Sequence, residues 1–131
     1  MFVDASAFVA MLTREKEADT FLDLLDNAVD TITSPIAVFE TVIAVARKRA
    51  SSLQETERDV IEFAEEAAIT VVEVTQRDCE AALHAFSRFG KGRHPAGLNM
   101  GDCFAYACAK IRNVPLLFKS EDFIHTDIEI A

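Results

Sequence analysis

The chain has 131 residues, half of them apolar and 27% charged, which fits one globular domain and excludes a disordered or low-complexity protein. No stretch reaches the ~20 consecutive apolar residues of a membrane helix, and Asp4 interrupts an N-terminal apolar stretch that lacks a basic flank, which argues against a secretory signal. With 13 basic against 22 acidic residues the net charge is −9, so the body repels nucleic acid and any such contact must come from a local basic patch.

Met1–Asp4 reads as a short apolar strand ending on a carboxylate, and Ala5-Ser6 opens a helical turn through Phe8, Val9 and Leu12. Glu15–Val29 sets Ala18, Phe21, Leu22 and Leu25 at i, i+3, i+4 and i+7, one face of a helix. Thr31-Ile32-Thr33 is a second short strand. Ser34-Pro35 puts a capping hydroxyl before a proline at the first helical position, opening a helix to about Ala50. Ser52 and Glu55 make a capping box for a helix expected to bury Ile61, Ala64 and neighbouring Val60. β-branched Ile69–Val74 is the third strand, and Thr75 caps a helix with apolar positions Cys79, Ala82, Leu83 and Phe86.

Ala81 to Gly101 contains no Asp or Glu but holds His84, Arg88, Lys91, Arg93 and His94, together with all four glycines and Pro95. This is a basic, backbone-permissive loop, either a solvated excursion or a substrate contact through Arg88, Lys91 and Arg93. It leads into Leu98–Lys110, where an almost uniformly apolar run from Cys103 to Ala109 predicts a buried helix. Asn99 is its N-cap and Asp102 falls three residues later, where it either completes the cap or contributes chemistry. Val114–Phe118 is a fourth strand, and Ile128–Ile130 a short fifth. Cys79, Cys103 and Cys108 have no zinc or redox spacing and read as reduced core thiols of a cytoplasmic protein.

Strands separated by helices of this length predict an α/β fold: a three-layer α/β/α sandwich with a short, mostly parallel central sheet, over residues 1–131 as a single domain. Ligands bind such sheets at the carboxyl ends of the strands, which directs attention to the acids there. Asp4 ends the first strand and Asp122 follows the fourth. Glu40 shares a helix face with Ile36, Ile43 and Ala44, an anomalous place for an acid without a partner. With Asp102 these make four carboxylates converging at one sheet edge. At 4 Å and an effective dielectric near 20, each close pair costs about 4 kcal/mol, so a cation is required or some acids stay protonated. Oxygen-only ligands favour Mg²⁺ or Mn²⁺, ions that keep waters and bind phosphate, which points to phosphodiester hydrolysis.

The chain resembles the PIN-domain ribonucleases, and within them the VapC-type toxins of toxin–antitoxin modules. The residues that carry the resemblance are Met1-Phe2-Val3-Asp4-Ala5-Ser6, the segment from Pro35 to Glu40, Leu98 to Ala107 with its Gly101-Asp102-Cys103-Phe104, and Pro115 to Lys119 with Asp122-Phe123 and His125-Thr126-Asp127-Ile128. The resemblance implies an Mg²⁺- or Mn²⁺-dependent endoribonuclease with Asp4, Glu40, Asp102 and Asp122 as catalytic and metal-binding acids. Ser6 would support the site, and Asn99 would orient the turn of Asp102. It also implies a homodimer, a cognate VapB-like antitoxin and an RNA substrate. Ser120 departs from the glycine expected at its position in many relatives. Two rivals were weighed. A receiver or haloacid-dehalogenase-type site lacks its acids here, since Val74 runs into Thr75 and position 6 is Ser. A catalytically inactive PIN-like RNA-binding module would have lost carboxylates that this chain keeps.

Overall fold

The computed structural model describes residues 1–131. In chain order it contains β1 (Phe2–Val3), α1 (Ala5–Leu12), α2 (Ala18–Asp26), β2 (Thr31–Thr33), α3 (Pro35–Arg49) and α4 (Leu53–Glu66). These are followed by β3 (Ile69–Val71), α5 (Gln76–Phe89), α6 (Met100–Arg112), β4 (Leu116–Leu117) and a 3₁₀ turn at Asp122–His125. The strands form one sheet in the order β3-β2-β1-β4, every pair parallel, with Phe2 opposite both Ile32 and Leu116.

The chain steps outward from β1 to β2 to β3, then crosses to the other side of β1 for β4. That reversal opens a crevice at the carboxyl ends of β1 and β4, the topological switch point where such sheets bind ligands. Strand alternation sorts the core into two layers. Phe2 and Leu116 point into a cluster with Ala82, Ala85, Phe89 and the buried side of α6, whereas Val3 and Leu117 point into a cluster with Phe8, Met11, Phe21 and Leu25. Helices therefore cover both faces of the sheet, the sandwich that the sequence predicts.

The helix starts follow the caps read from the sequence. Ser34 accepts from the Ala37 N–H at 3.2 Å with Pro35 at the first position, and capping boxes stand at Ser52/Glu55, Thr75/Asp78 and Asn99/Asp102. Several expectations need correction. The second helix spans only Ala18–Asp26, because Glu15 and Glu17 turn aside to ion pairs. The third strand stops at Val71, and the fifth shrinks to a single bridge between Ile130 and Leu116. In α4 the buried stripe is Thr56, Val60 and Ala64, leaving Ile61 44% exposed. In α5 it is Asp78, Ala82, Ala85 and Phe89, so Cys79 is an exposed thiol, not a core one, and Leu83 and Phe86 face outward. The α5 stripe is rotated by one residue because Arg112 of α6 neutralises Asp78 and lets it be buried. Cys103 and Cys108 are buried as expected.

Candidate active site

A cavity of about 400 Å³ opens at the switch point, lined by Asp4, Ala5, Ser6, Val9, Glu15, Glu40, Ala44, Asp102 and Lys119. A larger one, about 820 Å³, lies between α3 and α4, but its wall is mostly apolar and gathers no convergent chemistry. The smaller cavity is where three of the four expected acids meet.

Each acid arrives there for a local reason. Asp4 leaves β1 at the sheet edge and serves as the N-cap of α1, where its Oδ2 accepts from the Ser6 N–H at 2.9 Å and from Ser6 Oγ at 2.5 Å. Ser6 Oγ in turn accepts from the Lys119 N–H at 3.0 Å, and the Asp4 N–H donates to the Leu117 carbonyl at 3.0 Å. The ends of β1 and β4 are thus stitched together through the serine. Asp102 is the third residue of α6. Its Oδ2 accepts from the Asn99 N–H at 2.9 Å, while Asn99 Oδ1 accepts from the Asp102 N–H at 3.0 Å. Asp102 both caps α6 and lines the cavity, so its capping role leaves it free to contribute chemistry there.

Glu40 reaches the cavity from the middle of α3 and lies against the first turn of α6. A Cβ placed on Gly101 would sit 2.1 Å from Glu40 Oε1 and 2.3 Å from Oε2. Only a residue without a side chain leaves this notch for the carboxylate. Asp122 does not line the cavity. It heads the 3₁₀ turn after β4, near enough for its charge to act on Asp4 and Asp102.

The electrostatics match this crowding. Burial pushes the Glu40 carboxyl up to about 7, with the charges of Asp4 and Asp102 adding to it. Asp102 is pushed up to about 6, chiefly by burial and then by Asp4 and Asp122, against the opposing hydrogen bond from Asn99. Asp4, 4% exposed, is raised by burial despite its bonds to Ser6. All three rise because burial disfavours the charged form and neighbouring carboxylates add to it, with no base in contact to offset either. The side chains do not close into a ready-made metal cage. An all-oxygen donor set with a notch reserved for Glu40 fits a hard divalent ion.

Two charged residues of the cavity wall, Glu15 and Lys119, are not among the expected site residues. Lys119 Nζ bonds Glu15 and lies 3.2 Å from Glu17, and Glu15 also holds Lys48. The available signal for Lys119 is its place two residues after β4; nothing local marks Glu15, whose partners lie 33 and 104 residues away. Of the basic loop, Arg88 is committed to Asp127 at 3.6 Å and stacks on Phe89, and Arg93 lies over Phe86. Lys91 is exposed. The loop is closed at its neck by the bridge between Gly90 and Leu98, just before the cap of α6.

Comparison with known proteins accords with this geometry. The PIN domain family model matches residues 1–129. Ribonuclease VapC30 of Mycobacterium tuberculosis is 40% identical over 128 residues, covering 98% of this chain and 95% of that protein. Ribonuclease VapC of Mycolicibacterium smegmatis is 40% identical over 129 residues, covering 98% and 97%. Among solved structures, M. tuberculosis VapC20, described as a sarcin–ricin loop cleaving toxin, superposes with a TM-score of 0.77 at 16% identity over 99% of this chain and 97% of its own. A chain of a toxin–antitoxin complex from Klebsiella pneumoniae superposes with a TM-score of 0.72 at 15% identity, covering 99% and 95%. A sequence match along nearly the whole chain, with acids gathered at the switch point of the matching fold, leads to one conclusion: this chain belongs to the PIN domain family, among the VapC ribonucleases.

Proposed function

We propose that this chain is a metal-dependent endoribonuclease and the toxin of a VapBC-type pair, its residues 1–131 acting as one nuclease domain. The observation that carries the proposal is the meeting of Asp4, Glu40 and Asp102 in one cavity with raised pKa values and no base among them. Those three acids, with Asp122 close by, would hold Mg²⁺ or Mn²⁺, which when bound would supply a nucleophilic water at neutral pH and offset charge on the scissile phosphate. Ser6 fixes the Asp4 carboxylate, Asn99 fixes the turn of Asp102, and Gly101 leaves room for Glu40. Lys91 and Arg93 guide RNA toward the site across the otherwise acidic body, Arg88 contributing only when it leaves Asp127.

A cognate antitoxin is the expected protein partner, in line with the toxin–antitoxin complex among the structural neighbours. The apolar α3/α4 groove, where Phe39 is 66% exposed, is large enough to seat one of its helices. The groove between α5 and α6, lined by Leu83, Phe86, Met100 and Phe104, is assigned to a second copy of the chain in a homodimer. Three free thiols suit the reducing cytoplasm.

The test is RNA cleavage by the wild type and by Asp102→Asn, each with Mn²⁺, Mg²⁺ or EDTA. Cutting by the wild type with metal, loss with EDTA, and background cutting by the variant are expected. The variant keeps its fold and gains up to about 1 kcal/mol, since one like charge is removed. An Asp102→Asn protein that cuts normally would falsify the assignment, and a folded wild type that neither binds metal nor cuts RNA would leave only the inactive-module reading.

A further inference from the structure

The active-site cavity has a single positively charged side chain in its wall, Lys119, and that lysine does not touch the acid cluster. Its main chain is held where the chemistry is, two hydrogen bonds from the Asp4 carboxylate by way of Ser6 Oγ. Its ammonium is turned to the lip of the cavity, onto Glu15 Oε2 and toward Glu17. Lys48, from the C-terminal end of α3, approaches the other oxygen of the same carboxylate, Glu15 Oε1. Glu15 therefore lies between two ammonium groups with one oxygen on each, beside the acids.

Two oxygens of one anion, each on its own lysine, is also the geometry in which a phosphodiester presents its two non-bridging oxygens. The ion pairs are partly solvated: the Lys119 side chain is 35% exposed and that of Lys48 is 48% exposed. Screened pairs of this kind exchange partners at little cost. Glu15 follows α1, outside any regular element, and leads into α2. A negatively charged strand entering an acid-lined cavity needs cationic contacts beside it; Lys119 lines the cavity and Lys48 meets it through Glu15.

We infer that Lys48 and Lys119 form a phosphate-binding subsite at the lip of the active-site cavity, and that Glu15 occupies it until a backbone phosphate of the RNA displaces it. The subsite rests on the RNA-cleaving function proposed above. Lys119 is in this respect a substrate-positioning residue that fixes the phosphate next to the one being cut.

Binding of a short fluorescein-labelled single-stranded RNA, followed by anisotropy across a salt series, tests the subsite. The protein carries Asp102→Asn throughout and Mg²⁺ is present, so that nothing is cut. Adding Lys119→Met should weaken binding about tenfold and lower the slope of log affinity against log salt by about 0.7, one phosphate contact on a single strand. Lys119→Arg should restore most of both. Glu15→Gln should tighten binding several-fold, and this gain should vanish when Lys48→Met and Lys119→Met are both present. In cleavage assays without the Asp102 change, Lys119→Met should raise KM more than it lowers kcat. Thermal melts confirm that each variant is folded. Unchanged affinity and slope in Lys119→Met overturn the subsite, as does a Glu15→Gln gain that survives loss of both lysines, which would be a general charge effect. If the parent protein binds no RNA and the wild type cuts none, the ribonuclease reading itself falls, an outcome separate from RNA binding that ignores the lysines.

Discussion

Gly101 shows how one missing methyl group serves the site. It is a buried residue in the first turn of α6, where alanine would be the better helix former by about 0.5–1 kcal/mol. Yet its Cα faces the Glu40 carboxylate so closely that a Cβ cannot fit beside it. The obstructing atoms belong to the free end of a flexible side chain, so Gly101→Ala should fold by turning Glu40 away. Its melting temperature should equal or exceed that of the wild type while Mn²⁺ binding loosens by ~10–100-fold, as when the support of a metal ligand is removed. Calorimetric titration beside a thermal melt checks both; normal metal affinity in the variant would mean that Glu40 is not a ligand. Ser120 illustrates the opposite case. Its hydroxyl is buried without a hydrogen-bond partner just before Glu121 and Asp122, a local cost that a glycine would not carry.

Among the elements, α5 and α6 form the most extensive helix pair, and its register depends on one buried ion pair. Asp78 is 1% exposed. Burial alone would raise its pKa, but hydrogen bonds from Arg112 and Thr75 hold it well below the usual carboxylate range. Arg112 Nη1 lies 2.6 Å from Asp78 Oδ1, and Nη2 donates to the Glu73 carbonyl at 2.9 Å. Arg112→Met should cost about 3–5 kcal/mol, because it strands a buried charge, and Asp78→Asn added to it should recover part of that loss. Denaturant unfolding measures both; a loss below about 1 kcal/mol would show that Asp78 finds water. The apolar face assigned from sequence to Cys79, Leu83 and Phe86 missed this because hydropathy ranks an aspartate as outward-facing. The arginine that permits its burial lies 34 residues away.

At the scale of the molecule, the uncompensated acids set the pH response. Glu40, at about 7 in the folded chain against an ordinary 4.5, and Asp102, at about 6 against 3.8, both bind protons more tightly when folded. Raised carboxyl pKa values stabilise the fold at low pH, and this contribution is lost as pH climbs from about 4 to about 7. Glu15 and Asp78 are shifted the other way and act below that window. In EDTA, stability should fall between pH 5 and pH 8 by on the order of 1–2 kcal/mol, a figure discounted because Glu40 is partly solvated. Mn²⁺ should flatten or reverse the trend by favouring the charged forms. Melts across that range with and without metal decide it, and a metal-free protein that gains stability with pH would contradict the acid cluster. The same scale governs association. Leu83 is 66% exposed beside Phe86 and Met100, and the homodimer proposed above is tested there: Leu83→Glu should lower the sedimenting mass from a dimer's to a folded monomer's, whereas an unchanged mass would overturn this contact.

Much of this was legible in one dimension because it rests on short-range rules. Ser34-Pro35, Ser52 with Glu55, Thr75, and Asn99 with Asp102 start their helices through contacts within three residues, and the strands follow from β-branched or apolar runs between them. Asp4, Glu40 and Asp102 could be named because acids at strand ends or on apolar faces violate the ordinary partition of charge. Contacts between distant segments were not legible: the notch that Gly101 makes for Glu40, the Ser6 stitch from β1 to β4, the Asp78–Arg112 pair and the double grip of Lys48 and Lys119 on Glu15. Each joins residues at least 33 apart in the chain, and the Ser6–Lys119 contact forms only once the chain has crossed from one side of β1 to the other. Local periodicity carries no record of which partner will neutralise a charge in the folded chain, so Asp4, Glu40 and Asp102 could be named as candidates from sequence, while the cavity they share was decided only by the fold.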